Sequence, residues 1–175
     1  TADYFSKSSL ETANVDIKGV TYKGPLNKEN KPIRGKKCTL TYPNGRTVAG
    51  TLSIQKDGSF TIKGNGIITY EDHRQYKGPV DLNGQPHGKG TLVHKSGHKL
   101  YHTQGEFKEG KPFGRFKIIR PKSDISEKRV IEVTYSQDGI LTFLASSYST
   151  DENKETMYLP DGRELHISWK DGKPN

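Results

Sequence analysis

The sequence predicts an all-β protein: an elongated, antiparallel, single-layer sheet of stacked β-hairpins with a β-rich C-terminal cap. Three observations lead there. Runs such as Thr91–His94, Lys99–Thr103 and Val130–Tyr135 have the length and patterning of short strands, and period-two alternation buries one face only. Gly, Asn and Asp clusters with turn chemistry separate these runs. The glycines also recur in phase. Gly24, Gly50, Gly78 and Gly105 are 26, 28 and 27 residues apart. One hairpin is marginal by itself, so stacked neighbours must complete each buried face.

A second glycine phase follows the first at Gly35, Gly64, Gly88 and Gly114. The Gly-x-Gly pair is intact at Gly64/Gly66 and Gly88/Gly90, and decays to Gly35/Lys37 and Gly114/Phe116. Turn glycines Gly45 and Gly97 fall in register, with Asp72 at the matching place in the second unit. Tyr22-Lys23-Gly24-Pro25 matches Tyr76-Lys77-Gly78-Pro79. Glycine inside a strand permits close backbone approach or a bulge.

In chain order, residues 1–20 read as a linker or short helix, with Ser8 or Ser9 as a cap and nothing sustaining it past Asn14. A strand is expected near Val15–Tyr22. Residues 21–119 hold about four hairpin repeats. Repeat one (Tyr22–Ala49) has a lysine-rich loop, Asn27–Lys37, then strand Cys38–Tyr42 and the Pro43-Asn44-Gly45 turn. Repeat two (Gly50–Gln75) has strands at Thr51–Ile54, Ser59–Lys63 and Ile67–Tyr70, with a hairpin turn at Lys56-Asp57-Gly58. Repeat three turns at Lys95-Ser96-Gly97 and ends where Gly105-Glu106-Phe107 restarts the unit. Repeat four (Gly105–Ile119) loses the pattern at Arg120-Pro121. Pro121–Lys128 is a polar break and the expected subdomain boundary.

Residues 120–175 form the expected cap, since a repeat array needs its open end covered. Val130–Tyr135 and Ile140–Ala145 read as strands around Ser136–Gly139. A last hairpin, Met157–Leu159 with Glu164–Trp169, surrounds Pro160-Asp161-Gly162. Two echoes of the repeat appear here. Tyr158-Leu159-Pro160-Asp161-Gly162-Arg163 is similar to Tyr42-Pro43-Asn44-Gly45-Arg46, and Trp169–Pro174 is similar to Phe107–Pro112.

The combination of Tyr-x-Gly, Gly-x-Gly and a tight turn over Tyr22–Phe116 resembles the MORN (membrane occupation and recognition nexus) repeat. The match is fullest over Tyr76–Gly97. MORN units are usually shorter, so these hairpins carry extra loop residues. The resemblance implies a non-catalytic scaffold or adaptor. Such repeats are linked to protein binding, oligomerisation and membrane-lipid association, and sometimes flank an enzyme domain. It also implies that Tyr22, Tyr42, Tyr70, Tyr76, Tyr101, Phe107 and Phe116 pack along a ladder rather than stack nucleic-acid bases.

Composition bounds the rest. Apolar content is 30%, low for a compact globule but adequate for a single-layer sheet. Ile140–Ala145 is far too short to cross a bilayer as a helix. Cys38 is alone, so neither an internal disulfide nor a cysteine zinc site is available. The chain starts at Thr1 with neither an initiating Met nor a leader. The expectation is an excised or processed piece. The lone cysteine leaves the compartment open between the cytoplasm and the envelope side of a bacterial membrane, anchored upstream, with the envelope favoured. Residues 1–123 carry 22 Lys and Arg against 10 Asp and Glu, whereas residues 124–175 carry 6 against 10. The basic half coincides with the repeats and suits an anionic partner. Lys28, Lys31, Arg34, Lys36, Lys37, Lys77 and Lys89 are the candidate contacts. The plainer explanation is solvated lysines that protect a sheet edge.

Catalytic signatures are thin. His94, His98 and His102, with His87 nearby, suggest a metal only superficially: no carboxylate or cysteine accompanies them, and Lys95 and Lys99 repel a cation. Cys38 lacks a local base, and Ser96 lacks an elbow or oxyanion signature. Gly64-Asn65-Gly66 and Gly88-Lys89-Gly90 lack the strand-to-helix context of a phosphate loop. The expectation is no enzyme, no metal and no cofactor. The first functional expectation is a protein-interaction module, with oligomeric state left open. The alternatives are electrostatic binding of anionic lipid or wall polymer, and a toxin-neutralising immunity protein. Nucleic acid is the least favoured partner.

Overall fold

A computed structural model describes residues 14–97, 99–121, 128–146, 154–170 and 173–174. These residues contain strands and no helix, and none of them belongs to a helix long and apolar enough to cross a membrane. They group into two compact units: Thr1–His73 with Lys77–Gln85, and Arg74–Tyr76 with Pro86–Asn175. The short helix expected before Asn14 lies outside the described residues, as does most of the polar break at 121–128.

The first unit contains β1 (Thr21–Lys23), β2 (Lys37–Thr41), β3 (Thr47–Ile54) and β4 (Phe60–Thr69), and it shares β5 (Gln75–Pro79). The second unit contains β6 (Gly88–Ser96), β7 (Lys99–Lys108), β8 (Lys111–Arg120), β9 (Arg129–Tyr135) and β10 (Leu141–Ser146). It also holds β11 (Lys154–Tyr158), β12 (Glu164–Lys170) and β13 (Lys173–Pro174). Strands β1 to β10 are hydrogen-bonded in sequence order in one sheet, with β1 and β10 at its ends; β11, β12 and β13 form a second sheet. The architecture is thus antiparallel stacked hairpins, as the strand and turn patterning predicts.

In the first unit, cross-strand registers align Tyr22, Leu40, Val48 and Ile68 into one row. All four are buried, each with at most 3% exposure. Burying each such side chain contributes roughly 1.5–3 kcal/mol. In the second unit the matching rows are Thr103–Ile118–Ile131 and Phe116–Val133. The aromatics form an edge-to-face ladder there: Tyr76–Phe107, Phe107–Phe116 and Phe116–Tyr135 have ring centroids 5.4, 5.1 and 5.7 Å apart. Such pairs add about 0.5–1.5 kcal/mol beyond area burial.

Seven of the described turns share one geometry. Residue i accepts from the N–H of i+3 and donates its own N–H to the carbonyl of i+4; the turns start at Asp16, Asn27, Tyr42, Gln55, Asp81, Ser136 and Leu159. Position i+3 always has positive φ, from 61° at Asn30 to 92° at Gly162. This is the type I turn with a following left-handed residue that joins twisted strands.

Several sequence expectations need correction. Of the expected strand Val15–Tyr22, only Thr21 and Tyr22 are in a strand, β1. Asp16 Oδ1 accepts from the N–H groups of Lys18 and Val20, which folds the stretch into a turn and leaves a bridge between Val15 and Thr21. The separate strands Ser59–Lys63 and Ile67–Tyr70 are one strand, β4. Its glycines form a bulge: three residues of β4 (63–65) lie opposite Thr51 alone. Likewise β7 runs through Gly105, where the unit was expected to restart, and three residues of β8 (114–116) lie opposite Gly105. Ser96 pairs with Lys99, so Lys95 and Ser96 belong to β6 rather than to the turn. In the second repeat the left-handed residue after β4 is His73 (φ 70°) rather than Asp72. Strand β8 pairs with β9 from Gly114 to Arg120.

Candidate functional site

The exposed face of the first unit carries a second cross-strand row. Lys23 pairs with Thr39, Thr39 with Ala49, and Ala49 with Ile67. Strict alternation puts this row opposite the Tyr22–Leu40–Val48–Ile68 row. Lys37 and Lys77 line the same groove, whose volume is about 530 Å³. Its lining includes no carboxylate. Ile67 is 41% exposed, which leaves apolar surface open beside three ammonium groups.

Between these exposed positions lie glycines that belong to the opposite, buried row. Gly50 and Gly66 pair directly, and a Cβ on Gly50 would come within 2.5 Å of Ile62 Cγ2. Cys38 is buried beneath the groove, paired with Gly50. Burial pushes its thiol up to about 11, which suppresses the thiolate needed for nucleophilic attack.

The second unit has a groove of about 540 Å³ with a different balance. Lys89, Arg115 and Lys117 line it together with Glu106. Lys89 is directly opposite Glu106, and Lys117 is opposite Glu132, so opposite charges already face one another across the strands.

Of the seven candidate cations, Lys37 and Lys77 come together in the first groove and Lys89 lies in the second. Lys28, Lys31, Arg34 and Lys36 are exposed in the β1–β2 connection, and none forms an ion pair among the described residues. Lys23 was missed. Its register opposite Thr39 was the signal, but that register depends on where the long loop returns. Buried Arg120 and Arg129, opposed across β8–β9, also escaped notice because they border a polar segment.

The histidines are not gathered. His94 is opposite Tyr101 and His102 is opposite Val93, so adjacent positions place His94 and His102 on opposite faces. The His94 ring stacks near Tyr158 with centroids 3.9 Å apart, and His87 Nδ1 accepts from the Glu109 N–H. His98 lies outside the described residues. Among the described residues no group of three His, Cys, Asp or Glu side chains is placed to hold a metal ion.

The repeat residues divide by role. Gly35, Gly64, Gly88 and Gly114, the second phase, all have positive φ. Other glycines leave room for a neighbour: Gly24 and Gly105 of the first phase for Tyr22 and Phe116, and Gly90 of the Gly88/Gly90 pair for Tyr76. Gly45 and Gly97 are left-handed turn residues, and Gly78 lies within β5. Tyr22, Tyr42, Tyr76, Tyr101, Phe107 and Phe116 are buried, so those rings present no stacking platform to solvent. No protein-family model matches this chain, and no curated protein matches it.

Proposed function

We propose that this chain is a non-catalytic binding module of MORN-like hairpin repeats that holds a protein partner on the exposed face of its sheet. The Lys23–Thr39–Ala49–Ile67 row with Lys37 and Lys77 carries the reading. Apolar surface bordered by cations suits a polypeptide, which offers both kinds of side chain; a bare polyanion uses only the charges. Capture on the immobilised chain tests this. A stoichiometric protein retained at physiological and at roughly threefold higher salt supports it. Retention of only lipid, polymer or nucleic acid, lost on raising salt, overturns it.

A second reading is electrostatic binding of anionic lipid or wall polymer. The exposed cluster Lys28, Lys31, Arg34 and Lys36 favours it, because four cations in one connection make a locally positive surface. Reversing those four charges discriminates: it abolishes polymer or vesicle binding on the second reading and leaves protein capture intact on the first.

A further inference from the structure

The two grooves differ in charge although both lie over paired strand glycines. The second already sets Lys89 against Glu106. The first sets Lys23, Lys37 and Lys77 around Ala49 and Ile67 with no carboxylate in its lining. Like charges on one face are unfavourable unless a counter-charge joins them. The cations are also spread out. Lys23 is on β1 and Lys77 on β5, four strand steps apart in the sheet order. At about 4.8 Å per step the row spans roughly 19 Å, the length of about six extended residues.

From this we infer that the first groove is the docking site for an extended acidic polypeptide segment, lying across the strands. Its carboxylates meet Lys23, Lys37 and Lys77, and its intervening apolar side chains rest on Ala49 and Ile67. The inference rests on the protein-binding reading above and names the chemistry of the partner. Polyphosphate or an anionic membrane would use the same lysines but gain nothing from Ile67.

The test is fluorescence anisotropy on the full chain with three probes: a labelled peptide of alternating Glu and Leu, one of alternating Glu and Gly with the same charge, and inorganic polyphosphate. The Glu–Leu peptide is expected to bind tightest. The K23E/K37E/K77E variant should bind it at least about tenfold more weakly, three surface ion pairs being worth that much together. The K28E/K31E/K36E variant should stay within about twofold of the parent, with circular dichroism verifying that both variants fold. I67S should erase the preference for Glu–Leu over Glu–Gly. No binding of the Glu–Leu peptide, equal affinity for both peptides, stronger binding of polyphosphate, or a greater loss in the K28E/K31E/K36E variant each overturns the assignment. Were the captured protein still retained by K23E/K37E/K77E, the groove assignment would fall while the binding-module reading stood.

Discussion

Glycine 105 shows how one missing side chain organises its neighbourhood. A Cβ there would lie 2.4 Å from the Phe116 ring, and Phe116 is fully buried between Phe107 and Tyr135. Gly105→Ala is therefore expected to cost about 2–3 kcal/mol through overpacking. Gly35 is a contrast: nothing lies within 4 Å of its would-be Cβ, but φ is +79°. Gly35→Ala should cost only about 1 kcal/mol, the left-handed penalty. Urea unfolding of both variants measures the difference, and equal losses would contradict the assignment of separate roles. Cys38 yields a prediction about pH. Its thiol is raised from 9.0 to about 11 in the fold by burial, so the folded chain holds that proton more tightly than the unfolded one. The associated stability is complete below pH 9 and is lost as pH rises from 9 through about 11. Denaturation midpoints across that window should fall less steeply in Cys38→Ala than in the parent.

At the level of elements, turns set the registers. Two capping schemes support the same turn. Asp16, Asn27, Asp81 and Ser136 accept from the N–H groups of residues i+2 and i+4. In the others, Asn44, Asp57 and Asp161 at the third position accept from the residue two further on. Asp16 does more, because its Oδ2 accepts from Phe60 N–H at 2.8 Å and ties the turn to β4. Asp16→Ala should destabilise by about 2 kcal/mol, whereas Asn44→Ala, which loses one such bond, should cost about 1 kcal/mol. Thermal denaturation of the pair checks the ranking. The turns at Asn44-Gly45, Asp57-Gly58, Asp138-Gly139 and Asp161-Gly162 were legible from Gly after Asn or Asp; the one at Asn83-Gly84 was not singled out. His73 was not, since a left-handed histidine carries no compositional mark. The Trp169–Pro174 echo was also legible: Trp169 pairs with Pro174 and Lys170 with Lys173, the register of Phe107 with Pro112 and Lys108 with Lys111.

For the molecule as a whole, charge asymmetry becomes a surface property. The basic repeats place uncompensated lysines in the first groove, whereas cross-strand carboxylates accompany those of the second. A partner held partly by apolar contact with Ala49 and Ile67 should show a shallow salt dependence, with a slope near the three lysines involved. A polyanion engaging the whole basic surface should show a steeper one. Binding isotherms at several salt concentrations distinguish the two by slope.

Local chemistry in the sequence determined the all-β class, the tight turns and the two glycine phases, because turn residues and period-two alternation act over a few neighbours. Tertiary structure alone decided that β4 and β7 run unbroken through their glycines, that the sheet continues past residue 120, and that Lys23 joins Lys37 and Lys77. Each depends on which residue faces which across strands distant in sequence. A shift of one residue would move every side chain to the other face, so pairing, rather than composition, selected the lysines that share a groove.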